Sequence, residues 1–238
     1  MTVRKFAAFD IDGTLVRWQL FHTIVDQLAR QNSINLDEHA RMSDLFDMWK
    51  KRTDSDSFAI YEKATLHTWY ALLKNLSYDE YLKAVDIVFE THKDSVYTYT
   101  RDLIKNLRAE GYFLVAISGS HQEIVDKIAK YYQFDFAVGS IYPTEKGAFT
   151  GDETTPVTDK GAVLKKIVAQ HHLTLDESIA VGDTASDAKM LELVENPIAF
   201  NPNQSLLKIA RSNKWKITVE RKNVIYELEP DKNKYYLL

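Results

Sequence analysis

The chain has 238 residues, of which 45% are hydrophobic, enough for one sizeable domain or for a core domain with a smaller insert. Its 30 basic and 34 acidic residues give a net charge of −4 without a long run of either sign, which argues against nucleic acid or an anionic membrane as partner. The absence of cysteine excludes disulfides, thiolate metal ligands and a cysteine nucleophile, so any metal must be held by oxygen or imidazole.

Short apolar runs alternate with segments of helical periodicity, which predicts an α/β fold with a Rossmann-like parallel sheet sandwiched by helices. The predicted strands are 6–9, 113–117, 136–138, 179–181, 198–200 and 215–219. Proline and glycine residues between 141 and 158 predict a hairpin or loop excursion. Residues 223–228 are a candidate edge strand, followed by a polar tail.

Residues 17–96, here called the cap segment, show helical periodicity and no convincing strand, which predicts an inserted all-helical cap domain. The predicted domains are therefore 1–16 and 97–238 for the core and 17–96 for the cap. A polar break between two cap helices is expected near 52–57. The first cap helix should place one apolar face inward, formed by Phe21, Ile24, Val25 and Leu28.

The longest apolar stretches, such as 112–117, have the length of a strand and fall far short of the ~20 residues of a membrane helix. The N-terminus leads into a strand-like segment without a signal-peptide pattern. We therefore expect a cytoplasmic protein that does not insert into a membrane.

The first predicted strand ends in Asp10, Ile11, Asp12, Gly13 and Thr14. Two acids two residues apart point to the same side of an extended chain, at the sheet edge where open parallel sheets bind ligands. Gly13 allows a tight turn and a close approach of the backbone to an anion. A lone Asp-x-Asp is more often an acid-rich turn, but chance occurrence of the four fixed residues in such a chain is on the order of one in a few hundred.

Two later segments offer groups that bind anions. Ser118, Gly119 and Ser120 follow the second predicted strand, and a hydroxyl with free amides at a helix N-terminus forms an anion site. Lys160 begins a predicted helix, where a cation opposes the helix dipole, and a residue that breaks a local rule is a functional candidate. Taken singly, the first segment is more often a plain turn and the second a solvated lysine.

The fourth predicted strand leads into Asp183 and Asp187. Asp187 can also cap the following helix, whereas Asp183 is harder to explain structurally. Acids from two strand ends supply the oxygen ligands that magnesium takes alongside waters and a substrate phosphate. The sequence therefore predicts a magnesium site at the mouth of the sheet.

Together these segments resemble the four motifs of the haloacid dehalogenase-like (HAD) hydrolase superfamily, in their usual order. The matching positions are Asp10 to Thr14, Ser118, Lys160, and Asp183 to Asp187. The helical insert between the first two motifs is similar to the cap of the phosphoserine-phosphatase-like branch. The resemblance implies a HAD-like core, a magnesium cofactor and a small phosphorylated metabolite as substrate.

The resemblance also implies a mechanism, in which Asp10 attacks phosphorus in line and forms an aspartyl-phosphate. Asp12 protonates the leaving oxygen and then activates the hydrolytic water. Dehalogenases expel chloride, which needs no proton, so the acid at Asp12 favours a phosphatase. Magnesium and Lys160 offset the repulsion between two anions.

The resemblance implies one group of residues that binds the metal and another that binds the substrate phosphate. The implied metal-binding groups are oxygen atoms, from the Asp10 carboxylate, the Asp12 backbone carbonyl and Asp183, with Asp187 steadying a coordinated water. The implied phosphate-binding groups are hydrogen-bond donors, from Ser118, the Gly119 amide and Lys160.

The cap segment departs from the phosphoserine-specific enzymes of this branch. Those enzymes pair the substrate ammonium with a glutamate nine residues beyond the nucleophile, where this chain has Gln19. A neutral hydrogen bond would replace an ion pair, which makes phosphoserine a poor fit. Ser120, His121 and Ser186 also replace the usual motif residues.

Aromatic and histidine residues of the cap segment have two interpretations. Trp18, Trp49, Trp69 and Tyr70 would line a pocket for an apolar leaving group, although aromatics at helical spacing more often form a packed core. His22 and His67 are interpreted as packing or surface residues, since neither has a second imidazole at a metal-ligand spacing.

Two other functions remain open from the sequence. A phosphotransferase or mutase uses the same intermediate but passes the phosphoryl group to an alcohol, and the cap decides how much water enters. A non-catalytic phosphate-binding module is less favoured, because every motif residue is present. The sequence does not predict an oligomeric state.

Overall fold

The computed structural model describes residues 4–51, 60–61, 69–74, 76–151, 157–231 and 234–237. Its strands are β1 (Arg4–Phe9), β2 (Phe113–His121), β3 (Phe136–Ser140), β4 (Thr144–Glu145), β5 (Ala148–Phe149), β6 (Leu173–Gly182), β7 (Asn196–Phe200), β8 (Lys216–Arg221), β9 (Val224–Asp231) and β10 (Lys234–Leu237). Its helices are α1 (Leu20–Arg30), α2 (Leu36–Lys51), α3 (Tyr78–His92), α4 (Thr98–Ala109), α5 (Gln122–Tyr132), α6 (Lys160–Gln170), α7 (Ala188–Leu191) and α8 (Gln204–Asn213). Residues 69–73 are also helical, and a 3₁₀ turn, Ala185–Asp187, precedes α7.

One mixed sheet organises the molecule, with strand order β10-β9-β8-β7-β6-β1-β2-β3. Six adjacent strands of this sheet, β8, β7, β6, β1, β2 and β3, are parallel, and β9 and β10 are added antiparallel. Because the chain leaves β1 for β2 on one side and later returns to β6 on the other, a crevice forms beyond the carboxyl ends of β1 and β6. The α/β fold with a mostly parallel sheet is confirmed.

Alternate side chains of β1 enter two cores, because the strand is central and covered on both faces. Phe6 and Ala8 belong to the cluster that includes residues of α6, α7 and α8. Ala7 and Phe9 belong to the cluster that includes residues of α4, α5 and the cap segment. All four are fully buried, so the sheet edge above them is held rigidly.

The described part of the cap segment consists of helices joined by turns and coil, and within it only Ser77 and Val96 form isolated β-bridges. Three residues of the predicted α1 face, Ile24, Val25 and Leu28, are buried, and Phe21 is half-buried. The predicted break near 52–57 lies outside the described residues. The division into two domains stays a prediction.

Both crossings between the core and the cap segment run side by side. The amide of Tyr97 donates to the carbonyl of Leu15 at 2.9 Å, and the amide of Arg17 donates to the carbonyl of Ser95 at 3.0 Å. These backbone bonds fix where the cap segment leaves the sheet. They thereby also fix the position of α1 relative to the end of β1.

The predicted excursion between 141 and 158 contains the β4–β5 hairpin. The hairpin pairs with the cap segment, since Tyr78 donates its amide to the Gly147 carbonyl at 2.9 Å and Phe149 to that of Leu76 at 3.0 Å. It therefore connects the core loop with the cap segment.

The strand predicted at 223–228 is present as β9, but the prediction that it forms the edge of the sheet is wrong. β9 extends to Asp231, and the tail folds back as β10, which forms the edge of the sheet. Backbone pairing continues through a polar stretch here, which an apolar pattern does not reveal. Among the described residues, no helix combines the length and the hydrophobicity needed to span a bilayer.

Candidate active site

Asp10 lies directly after β1, and its amide donates to the carbonyl of Val181 at the end of β6. Its side chain is almost fully buried. One carboxylate oxygen, Oδ1, accepts a hydrogen bond from Lys160 Nζ at 2.5 Å. The other, Oδ2, is buried and has no partner within the described residues. A buried carboxylate oxygen without a donor is costly, and a bound cation or ligand would satisfy it.

Lys160 is the first residue of α6, which is capped by Asp159. Its ammonium bridges Asp10 at 2.5 Å and Asp187 Oδ1 at 2.6 Å, and its side chain is buried. Burial alone lowers the pKa of Lys160, but the two carboxylates outweigh this effect and raise it above the ordinary value. The lysine therefore remains a cation inside the site, which explains its position at a helix start.

The loop after β6 positions the remaining acids. Asp187 Oδ2 accepts hydrogen bonds from the amides of Asp183 and Thr184, both at 3.0 Å. Asp187 is thus held by the loop and by a lysine, and it does not cap α7 through its side chain. Gly182 is needed here, because a Cβ atom at this position would lie 2.4 Å from the Cβ of Asp187.

Gly13 brings the turn after β1 against the loop after β6. Its φ of +86° belongs to the left-handed region, and an added Cβ would lie 2.3 Å from Asp183 Oδ2. Thr14 Oγ1 donates to Asp183 Oδ1 at 3.4 Å. The Gly-Thr pair of the first motif thus supports the acid of the fourth.

Asp10, Asp183 and Asp187, here called the acidic cluster, each offer one oxygen, and these oxygens lie within 4.8 Å of one another. Burial, more than any neighbouring charge, raises the pKa of Asp10 to about 7. Burial and the nearby Asp10 and Asp187 carboxylates also raise the pKa of Asp183 well above its ordinary value. One lysine does not neutralise three acids, so this all-oxygen set fits a hard divalent cation.

Asp12 is not a member of the acidic cluster, and its carboxylate accepts hydrogen bonds from the end of β2 and from the start of α1. Its Oδ2 accepts from Ser118 Oγ at 2.7 Å, and its Oδ1 accepts from the amide of Leu20, the first residue of α1, at 2.7 Å. Burial raises its pKa above the ordinary value, which favours a carboxyl group that can hold a proton. Asp12 thus links the core to the first helix of the cap segment.

Ser118, Gly119 and Ser120 form the irregular last part of β2, where the pairing with β3 shifts register between Ile117 and His121; this segment is here called the β2 loop. The Ser120 amide donates to Ser118 Oγ at 2.9 Å, and Ser140 Oγ donates to the Gly119 carbonyl at 2.8 Å. Gly119 itself is exposed, so its backbone is accessible to a ligand. The loop has fixed hydroxyl and amide groups beside Asp12.

The structure brings Asp10, Lys160, Asp183 and Asp187 into one buried group and joins Asp12 to Ser118. The separate roles predicted for these residues, including the Asp12 carbonyl as ligand and Asp187 as water holder, stay predictions. Gln19 is half-buried at the start of α1, without a side-chain cap bond. Its role in specificity also stays a prediction.

Among the described residues, two of the cap tryptophans pack and one lines a cavity. Trp69 is fully buried and Trp49 stacks on Tyr61, whereas Trp18 is half exposed and lines a surface cavity together with Asp26 and His92. His22 is buried, as expected for a packing residue, and it stacks on Phe46 with ring centroids 4.0 Å apart. His67 lies outside the described residues.

Sequence reasoning missed a second buried group beside the β2 loop, here called the aromatic cluster. Its members lie at the junction between core and cap segment: Phe21, Trp69, Tyr81, His121 and Tyr142. Trp69 Nε1 donates to His121 Nε2 at 2.8 Å. The signal available was a histidine in place of the usual motif residue, but its partner is 52 residues away.

Comparisons with known proteins agree with this geometry. Residues 7–192 match the family model of haloacid dehalogenase-like hydrolases. A phosphoserine phosphatase of Methanocaldococcus jannaschii is 28% identical over 83% of this chain and 85% of its own length. One of Lactococcus lactis is 29% identical over 84% of this chain and 85% of its own length.

Solved structures show the same fold. A substrate-bound phosphoserine phosphatase complex covers 94% of this chain and 96% of its own, with a TM-score of 0.64 and 23% identity. A phospho-aspartyl intermediate analogue of phosphoserine phosphatase covers 93% and 96%, with a TM-score of 0.63 and 24% identity.

Proposed function

Because this chain belongs to the haloacid dehalogenase-like hydrolase family, we propose that it is a magnesium-dependent phosphatase that forms an aspartyl-phosphate on Asp10. One observation carries the proposal: a buried Asp10 carboxylate with an unpartnered oxygen, among the described residues, adjoins a lysine and two further acids at the mouth of the sheet. The substrate is a small phosphomonoester.

Asp10 is the nucleophile in this proposal. It attacks the phosphorus in line, the ester bond to the leaving oxygen breaks, and an acyl phosphate forms on the carboxylate. Lys160 holds Asp10 Oδ1 at 2.5 Å, which orients the carboxylate and offsets part of the repulsion by phosphate. Because Lys160 is bonded to Oδ1 of Asp10, Oδ2 is the Asp10 oxygen that remains available to a bound cation or to the phosphorus atom of the substrate.

Asp12 is the proton donor and acceptor. Its raised pKa suits a carboxyl group that gives its proton to the leaving oxygen and, as a carboxylate, then takes a proton from the attacking water. Its bonds to Ser118 and to the Leu20 amide hold it between the β2 loop and the cap segment. When substrate binds, the Ser118 hydroxyl turns its proton from Asp12 to a non-bridging phosphate oxygen, and the Gly119 amide binds another.

The acidic cluster and the Asp12 carbonyl are the groups that would hold magnesium, with Asp187 acting through a coordinated water. Bound there, the ion supplies positive charge that lowers the repulsion between phosphate and carboxylate. Asp183 is the ligand that depends most on the metal, since Thr14 is its only described side-chain donor and the contact is long, at 3.4 Å.

The leaving group is the open part of the proposal. The relatives named above are phosphoserine phosphatases, and phosphoserine is therefore one substrate to test. Gln19 lies half-buried beside the Leu20 amide that binds Asp12, and a neutral side chain there does not pair with an ammonium group. The cytoplasmic location stays a prediction.

The test is phosphate release from a panel of phosphomonoesters with amino-alcohol, polyol, sugar, nucleotide and aryl leaving groups, in magnesium and in EDTA. We expect magnesium-dependent release by the wild-type protein and by Asp176→Asn, an exposed acid on β6. Asp183→Asn should lose it. Release that is equal in EDTA, or absent from the whole panel, would refute the proposal.

A further inference from the structure

His121 is the last residue of β2 and directly follows the β2 loop. It is buried among rings from both sides of the junction between core and cap segment. Its centroid lies 5.1 Å from those of Trp69 and Tyr81 in the cap segment, and 4.1 Å from that of Tyr142 in the core, on which it stacks. The cap segment thus closes over this histidine.

The hydrogen bond from Trp69 determines the tautomer of His121. An indole N–H can only donate, so Nε2, which receives it at 2.8 Å, carries no proton. Burial lowers the pKa of His121 to about 3, which keeps the ring neutral near pH 7. The single proton therefore lies on Nδ1, which is buried and has no acceptor within the described residues.

A second polar atom of the same cluster has no partner either. The hydroxyl of Tyr81 is fully buried and has no hydrogen-bond partner in the described part of the chain. Buried donors are satisfied in the great majority of cases, so two unsatisfied ones in contacting rings call for a missing partner. A ligand that presents an oxygen at this point would supply it.

The geometry of the proposed reaction places the leaving group of the substrate near the aromatic cluster. In an in-line displacement the leaving oxygen lies opposite the nucleophile, hence on the side of phosphate away from Asp10 and towards the cap segment. Asp12, which protonates that oxygen, is bonded to the amide of Leu20. The next residue, Phe21, has its ring centroid 6.2 Å from that of His121. The leaving group thus emerges beside the aromatic cluster.

We infer that His121 is a specificity-determining residue, whose Nδ1–H donates a hydrogen bond to a hydroxyl group of the substrate's leaving group. The inference rests on the proposed phosphatase function. A hydroxyl both accepts and donates, and so it complements the histidine N–H together with the Tyr81 hydroxyl. The described members of the aromatic cluster carry no charge, which suits a polyol or sugar better than a carboxylate.

The test compares substrates that differ in hydroxyl groups alone. We expect the wild-type protein to hydrolyse glycerol 3-phosphate with a kcat/KM about tenfold above that of propyl phosphate, the effect of one neutral hydrogen bond. In His121→Phe this preference should disappear, while propyl phosphate turnover stays within about threefold. His171→Phe, a histidine packed between Phe113 and Phe136, should keep the preference.

A second measurement does not depend on turnover. Nitrogen-15 NMR should report His121 as the Nδ1–H tautomer, and Trp69→Phe should release the ring to a tautomer mixture. Addition of glycerol 3-phosphate to Asp10→Asn should shift the Nδ1 signal, whereas propyl phosphate should not.

The outcomes separate the two proposals. Three results would each overturn the inference and leave the phosphatase function intact. They are equal losses of activity on both substrates in His121→Phe, an Nε2–H tautomer of His121 in the NMR spectrum, and a preference for phosphoserine over glycerol 3-phosphate that depends on His121. A wild-type protein that releases phosphate from no ester would overturn the proposed function, and the inference with it.

Discussion

The acidic cluster and the aromatic cluster lie at the same edge of the sheet but respond to burial in opposite ways. Burial raises the pKa of Asp10 to about 7 and lowers that of His121 to about 3. In both cases the neutral form is favoured, because a charge loses hydration inside the protein. Burial thus favours the protonated form of Asp10 in the acidic cluster and the unprotonated form of His121 in the aromatic cluster.

This difference gives the two clusters opposite effects on stability. Asp10 has a raised pKa, so the folded state binds more protons than the unfolded state between about pH 4 and 7, and stability falls as the pH rises through this window. His121 has a lowered pKa, so the unfolded state binds more protons below about pH 6.5, and stability falls as the pH decreases.

Asp10→Asn should reduce turnover by more than about 10⁴-fold, because the nucleophile is removed while its shape is kept. The melting temperature should not fall, since the substitution removes one charge from a crowded acidic cluster. Steady-state phosphate release and circular dichroism are the measurements. More than a trace of activity in a folded variant would remove Asp10 from its role.

Asp12→Asn should reduce turnover of alkyl phosphates by about 10²–10⁴-fold, because the leaving alkoxide then lacks a proton donor. An aryl phosphate with a good leaving group needs no such proton, so rapid mixing should still show a burst of one equivalent of phenolate. Slow hydrolysis of the acyl phosphate should follow, since the same residue activates water. Loss of the burst together with turnover would contradict this role.

The acidic cluster was predictable from the sequence because each of its residues is marked by a short pattern of neighbouring residues. Asp10 and Asp183 each follow an apolar run, and the carboxyl ends of parallel strands necessarily meet at one edge. Lys160 was recognisable as an exception to the helix-dipole rule. Its two carboxylate partners explain that exception, which the sequence could only raise as a question.

The aromatic cluster was not predictable, because its contacts join distant segments. Helical periodicity indicates that Trp69 faces inward, but not that its indole N–H meets His121 at 2.8 Å. The same limit applies to β10, whose pairing with β9 is a property of the backbone and not of an apolar pattern. Packing partners between segments are set by the tertiary fold, which local patterns do not encode.

Lys160→Met should destabilise the protein by about 3 kcal/mol in EDTA at pH 8, because two buried carboxylates lose their only described cation. Lys189→Met is the matched control. Its pair with Asp159 is similarly short, at 2.7 Å, but exposed to solvent, so a much smaller loss of stability is expected. Urea unfolding measures both. Equal effects of the two substitutions would show that the acidic cluster does not depend on its lysine.

Magnesium at about 100 times its dissociation constant should stabilise the protein by about 2.7 kcal/mol at pH 8, which corresponds to roughly 5–10 °C in melting temperature. The increment should be smaller at pH 5, because protons compete with the ion for Asp10 and Asp183, whose pKa values burial raises. Asp183→Asn should remove most of the increment. A shift that is equal at both pH values would place the metal elsewhere.

His121→Phe should change the pH dependence of stability more than its absolute value. The unfolded chain takes up a proton on His121 below about pH 6.5, whereas the folded ring stays neutral, so the wild-type protein loses about 2 kcal/mol from this residue by pH 5. Phenylalanine does not titrate. The wild-type protein should therefore lose stability relative to the variant between pH 8 and pH 5. The acidic cluster is the same in both proteins, and in EDTA its opposite contribution cancels from the difference. A constant difference in urea unfolding free energy across this range would mean that the ring is protonated in the fold, which the indole hydrogen bond to Nε2 does not allow.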